Sequence, residues 1–129
     1  MPVAHARGNH EPAAEFDMAS IVILGAGLGG MSAAYEFREA LGEAHPVTVI
    51  GDGERFAFTP SNPWIAAGWR KPAETTLPAG EYLAKRGIRF IGSPAQAIDP
   101  VARAVTTATG ERVAYDYLVI CTGPRLAFE

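Results

Sequence analysis

The chain has 129 residues, enough for one domain to bury a core of its own. Apolar residues make up 48% and charged residues 19%, which marks a globular chain and excludes a disordered one. With 14 acids against 11 bases, the net charge is -3 and no basic stripe runs along the sequence, which argues against a nucleic-acid partner.

Residues 1–18 alternate Pro, Ala, His, Gly and charges without a period, so a disordered tail is expected there. The first 20 residues have no apolar stretch, unlike a secretory signal, and no apolar run elsewhere approaches a membrane span. Ser20–Leu24 (SIVIL) is a short apolar run bounded by glycine and reads as a buried parallel strand. GAGLGG follows. Met31, Ala34, Tyr35, Arg38 and Leu41 then recur at helical spacing, and Gly42 supplies a stop. Val47–Ile50 is a second apolar strand, which completes a βαβ unit of about thirty residues.

Gly51 to Pro78 holds Pro60, Pro63, Pro72 and Pro78 together with Trp64 and Trp69, and shows no clean period. A shaped loop with one helical turn is predicted. Glu81–Arg86 is expected to be a short helix and Ile88–Ile91 a third strand. Its Lys85 and Arg86, with Arg89, form the densest basic group and read as a solvated helix end. Ala95–Ile98, Val101–Thr107 and Arg112–Tyr115 read as a small antiparallel excursion, with Thr109-Gly110 turning the last pair. Tyr117–Cys121 (YLVIC) is another buried strand and runs into Thr122-Gly123-Pro124. The expected fold class is α/β: a Rossmann-like βαβ parallel sheet with a small antiparallel β excursion.

The chemistry concentrates in GAGLGG, comprising Gly25, Ala26, Gly27, Leu28, Gly29 and Gly30. Gly25 permits the tight turn out of the strand. Gly27 has no side chain, so a phosphate can approach the backbone. Gly30 lets the helix lie close to the strand. The helix then directs its N-terminal N–H groups and dipole at a pyrophosphate. With a strand before it, an amphipathic helix after it and a second strand beyond, the loop predicts dinucleotide binding. The plain alternative is a glycine-rich turn that merely packs tightly. Gly51 stands where a ribose-binding acid is usual, and Asp52 comes one later. Asp52 takes that role if the strand ends one residue late; otherwise backbone groups hold the ribose. This weakens an NAD reading.

Other chemistry is sparse. Cys121 is the one cysteine, which excludes an internal disulfide or a cysteine zinc cage and fits a reducing compartment. His5, His10 and His45 have no metal spacing and read as solvated. Neither a Ser–His–Asp set nor a carboxylate pair is visible, so no catalytic or metal-ligating residue is assigned.

Three stretches carry a resemblance: IVILGAGLGGMSAAYEF; VTVI followed by FAFTPSNPW; and YDYLVICTGPRLAFE. Together they resemble the N-terminal part of sulfide:quinone oxidoreductases. That group belongs with the flavocytochrome c sulfide dehydrogenase flavoprotein and the wider FAD-dependent pyridine nucleotide-disulfide oxidoreductases. The resemblance runs from about Ser20 to the last residue, and PSNPW (Pro60 to Trp64) is its most specific piece. It implies FAD as the cofactor, with Gly25 to Gly30 cradling the pyrophosphate. Ile50 and Gly51 would lie beside the adenosine ribose, and Phe58 and Thr59 on the flavin side. Ala95 would give a backbone contact to adenine. Thr122 and Gly123 match a second signature, usually Ala-Thr-Gly, with Cys121 at the alanine position. Cysteines that handle sulfide in the family lie beyond the resembled segment. Cys121, inside an apolar strand, is therefore read as structural. Trp64 and Trp69 are candidates to flank flavin or a quinone, against the plainer reading of local packing; PSNPW places Trp64 evenly between the two, and Asp116 reads as a turn cap.

The resemblance further implies residues 19–129 as the FAD-binding domain and N-terminal fragment of a larger flavoenzyme, inactive alone. The parent would oxidise sulfide and pass electrons through FAD to a quinone. Its membrane association would come only through a further C-terminal part, and its location would be cytoplasmic or peripheral on the inner face of the cell membrane. Two alternatives stand beside it: a type II NADH dehydrogenase-like or other pyridine-nucleotide reductase, and a non-catalytic dinucleotide-binding module.

Overall fold

The computed structural model describes residues 18–124 and 127; the expected tail lies outside the described residues except for Met18. Four short strands form a parallel sheet: β1 (Ile21–Leu24), β2 (Val47–Ile50), β5 (Arg89–Ile91) and β9 (Tyr117–Ile120). Their order is β5-β2-β1-β9, and β1 pairs in register with β2 (Ile21 opposite Val47) and with β9 (Ile21 opposite Tyr117). Helix α1 (Leu28–Leu41) connects β1 to β2. Between β2 and β5 lie β3 (Arg55–Ala57), α2 (Asn62–Ala66), β4 (Thr76–Pro78) and α3 (Ala79–Ala84). An antiparallel sheet of β6 (Ala95–Asp99), β7 (Ala104–Thr107) and β8 (Arg112–Ala114) joins β5 to β9.

The central strands β1 and β2 are buried at every position, Thr48 included, because both faces are covered. Side chains alternate along a strand. Ile21 and Ile23 of β1, with Val47 and Val49 of β2, pack against Met31 and Ala34 of α1 and Ala79 and Leu83 of α3. Val22, Leu24 and Ile50 point the other way, onto Val105 and Val113 of the antiparallel sheet and Tyr115 just past it. The parallel sheet is thus the middle of three layers. Each large aliphatic side chain buried there stabilises the fold by about 1.5–3 kcal/mol relative to exposure.

Several elements depart from the sequence expectation. The stretch 51–78 is not a plain loop: β3 and β4 pair antiparallel, with Arg55 opposite Pro78 and Ala57 opposite Thr76. Two short 3-10 turns, Thr59–Ser61 and Pro72–Thr75, flank the α2 turn between them. The prolines sit at the first positions of these turns, where a missing N–H costs nothing. Helix α3 begins two residues earlier than predicted, directly after Pro78. Strand β7 begins at Ala104 and not at Val101, because the Asp99 carboxylate accepts from the N–H groups of Val101 (3.1 Å) and Ala102 (2.8 Å) and turns the chain there. Strand β9 is not buried throughout: at the sheet's edge among the described strands, Tyr117 and Ile120 are 65% and 62% exposed.

Candidate functional site

The carboxyl ends of the parallel strands open onto a cleft of about 690 Å³. That is where ligands enter parallel α/β sheets. Three ladder hydrogen bonds continue past the strands and fix its floor. Gly25 N donates to Ile50 O (2.8 Å), Gly51 N to Ile91 O (2.9 Å) and Cys121 N to Leu24 O (2.7 Å).

The turn from β1 into α1 forms one wall. Gly25 has φ +105, and a Cβ there would stand 2.3 Å from the Cys121 carbonyl oxygen. Gly30 is buried beneath the turn, and a Cβ on it would fall 1.8 Å from the Gly25 carbonyl oxygen. These two glycines let the strand, helix and β9 approach one another. Gly27 differs: a Cβ there would meet nothing within 4 Å, and the residue lines the cleft. It is also the N-cap of α1, with no side-chain cap and no acid in the first turn. The first amides of a 14-residue helix therefore meet the cleft without a side-chain acceptor. Such an end carries roughly half a positive charge and suits an anion.

Eleven of the thirteen residues expected at the cofactor line this cleft: Gly25, Ala26, Gly27, Leu28, Gly29, Ile50, Gly51, Thr59, Ala95, Thr122 and Gly123. The other two are elsewhere. Gly30 supports the cradle from below. Phe58 lines a second, apolar groove of about 270 Å³ with Leu28, Tyr35, Phe56, Leu77 and Tyr82. Position 51 is crowded: a Cβ there would be 3.0 Å from both Ala26 Cβ and Phe90 Cε2. An acid on that residue would displace its neighbours. Exposed Asp52, one residue on, lines the cleft instead.

Sequence reasoning did not assign Arg55, Gly53, Ala57 or Pro94, which also line the cleft. The first three lie in or beside the ribbon that looked like irregular loop. Cys121 is not within the strand but just past β9; it is half-buried and lines the cleft. Trp64 and Trp69 do not line it; both are exposed, and the Arg70 guanidinium lies 5.0 Å from the Trp64 ring. His45 is half-buried rather than solvated, and its Nδ1 accepts from Ala19 N (3.2 Å). Among the described residues no cluster of His, Cys, Asp or Glu has a metal-site arrangement, and no helix is long and apolar enough to cross a membrane.

Fold and cleft define a dinucleotide-binding α/β domain. Residues 19–127 match the family described as "Pyridine nucleotide-disulphide oxidoreductase", and the chain belongs to that family of FAD-dependent oxidoreductases. The chain is 44% identical over 108 residues to the sulfide-quinone reductase of Aquifex aeolicus (strain VF5), an alignment covering 84% of this chain and 25% of the relative. The X-ray structure of the sulfide:quinone oxidoreductase from Aquifex aeolicus superposes with a TM-score of 0.80, covering 85% of this chain and 25% of that one. The NADH-rubredoxin oxidoreductase of Clostridium acetobutylicum is 33% identical over 106 residues, covering 80% of this chain and 27% of the relative. The chain thus spans about a quarter of the length of the relatives it matches.

Proposed function

We propose that residues 19–129 are the FAD-anchoring domain of a sulfide:quinone oxidoreductase-like flavoenzyme, in which sulfide is oxidised and a quinone reduced. The observation that carries the FAD reading is the side-chain-uncapped N-terminus of α1 at a cleft floored by Gly25, Gly51 and Cys121. The donor and acceptor reading rests on the 44% identity to the Aquifex aeolicus reductase.

The residues fit the group. The α1 amides and Gly27 take the pyrophosphate, with no side chain in the way. Asp52 takes the adenosine ribose hydroxyls, because it is exposed at the cleft while position 51 is crowded by Ala26 and Phe90. Ala95 and Pro94 border the adenine. Thr59, Thr122 and Gly123 border the flavin side, where a small residue leaves room for the ring system. Bound FAD supplies two-electron transfer; this chain's residues bind it and orient it.

An NADH-dependent reductase is the second reading, favoured by the 33% identity to the Clostridium acetobutylicum enzyme. The lower identity places it behind the first. Expression of the chain followed by gel filtration tests the FAD reading: a visible flavin absorbance should co-elute with the protein. A folded, colourless protein that takes up no added FAD would overturn it. Sulfide and NADH, offered in turn as reductants to the chain joined to the rest of its parent, separate the two oxidoreductase readings from each other and from a non-catalytic module.

A further inference from the structure

Two side chains lining the cleft carry a charge among the described residues, Asp52 and Arg55. Arg55 matches none of the positions that the glycine-rich loop or the Thr122-Gly123 signature identifies. It sits at the start of β3, in the ribbon that follows β2. Its guanidinium is held by the facing strand. Nε donates to Thr76 Oγ1 (3.3 Å), and Nη2 to Thr76 Oγ1 (2.9 Å) and to Thr76 O (3.3 Å). Among the described residues Nη1 has no protein acceptor and Arg55 has no acidic partner.

We infer that Arg55 is a ligand for the diphosphate of the bound dinucleotide and that Thr76 is the positioning residue that holds it. This rests on the FAD reading above. The charge balance of the cleft carries it. A dinucleotide brings two negative charges on its diphosphate. The end of α1 offers about half a positive charge, while Asp52 contributes a full negative one. Without Arg55 the charged lining is net negative and repels the diphosphate; with it the lining is neutral and the helix end tips the field positive. A guanidinium suits the task, since part of its fork can be fixed on protein while the remaining donors meet phosphate oxygens. The β3–β4 pairing then has a purpose in the site: it brings Thr76 across from Ala57, within reach of Arg55.

The test is FAD titration of the full chain at low and high salt, with thermal melting alongside. The set comprises the wild type, Arg55→Gln, Arg55→Lys and Thr76→Val, with ADP and adenosine as competitors. Arg55 is exposed, so its replacement leaves the core intact. Arg55→Gln should weaken FAD and ADP about tenfold, leave adenosine unchanged and flatten the salt dependence. Arg55→Lys should keep the salt dependence and recover part of the affinity. Thr76→Val should weaken FAD a few-fold with the salt dependence retained. A purely structural pin across the ribbon would lower the melting temperature in these variants and leave salt dependence untouched; that result overturns the inference. So does an equal loss for adenosine and ADP. Wild type that binds FAD beside an unaltered Arg55→Gln removes only the role of Arg55, whereas wild type that binds no FAD removes both readings.

Discussion

Ser20 and Asp116, 96 positions apart, clasp each other at the start of the two adjacent strands β1 and β9. The Asp116 carboxylate accepts from Ser20 N (2.7 Å) and Ser20 Oγ (2.9 Å), and Asp116 N donates back to Ser20 O (2.9 Å). The backbone hydrogen bond from Ser20, then the hydroxyl, hold the carboxyl below the usual aspartate range; desolvation opposes them, and the Arg103 charge adds the smallest lowering. A carboxylate with a lowered folded pKa contributes stability that is present above its unfolded pKa and is lost as the pH falls through the folded value. Melting temperature should therefore be flat with respect to this group near neutrality and fall below about pH 4. Asp116→Asn should melt lower at neutral pH and lose part of the acid-induced drop. Melting curves of both proteins across that range check it; parallel curves would show that the clasp does not titrate.

The glycines of the phosphate loop should separate by function. Gly30→Ala drives a methyl into the Gly25 carbonyl, so the fold should lose about 1–3 kcal/mol from overpacking. Gly27→Ala meets open space at an ordinary negative φ, so melting should hardly change. Its methyl would instead stand where the diphosphate approaches, and FAD affinity should fall about tenfold. Chemical denaturation and FAD titration of the two variants provide the comparison. A Gly27→Ala protein with full affinity would place the diphosphate elsewhere.

The sequence was most readable where one physical requirement dominates. The β1–α1–β2 unit combines two glycines, Gly25 and Gly30, where a Cβ would strike backbone, with strands buried on both faces, and each leaves a plain pattern. The alternation of Ile21 and Ile23 against Val22 and Leu24 became meaningful only once two covering layers were known. The ribbon from Arg55 to Pro78 was not readable. Its strands are three residues each, too short for a period, and prolines that usually break elements here start turns. Arg55 therefore reaches the cleft through a pairing that only tertiary structure reveals. Val101 looked like strand by composition, but the Asp99 side chain competes for its N–H and ends the pattern. Cys121 looked like core because YLVIC is apolar, whereas β9 is at the edge among the described strands and Cys121, just past it, borders the site.

Asp52, and not position 51, should hold the ribose. Asp52 is exposed at the cleft, so Asp52→Asn should leave melting unchanged and weaken FAD about tenfold, the scale of one hydrogen bond to a charged group. Gly51→Asp should not restore binding in the Asp52→Asn background, because its Cβ would press to 3.0 Å from both Ala26 Cβ and the Phe90 ring edge, which must shift to admit it. Replacing Phe90 by leucine removes the ring edge and should let Gly51→Asp recover part of the affinity. Titration of the single, double and triple variants reads this out; recovery without the Phe90 change would show the position is not crowded.

Arg38 ties the far end of the sheet, away from the cleft. Its Nη1 donates to Gly42 O (2.6 Å) and His45 O (3.3 Å), and its Nη2 to Gly87 O (2.9 Å). One guanidinium thus closes the C-terminus of α1, the approach to β2 and the turn between α3 and β5. A cation here also favours the helix dipole. Arg38→Ala leaves three carbonyls without this donor, and the fold should lose about 1–3 kcal/mol. Lysine is a point donor and cannot span three carbonyls, so Arg38→Lys should recover less than half of that loss. In urea, both variants should shift the midpoint down at constant slope, since the buried area is little changed. FAD affinity, measured where each variant is fully folded, should stay at the wild-type value, because Arg38 does not line the cleft.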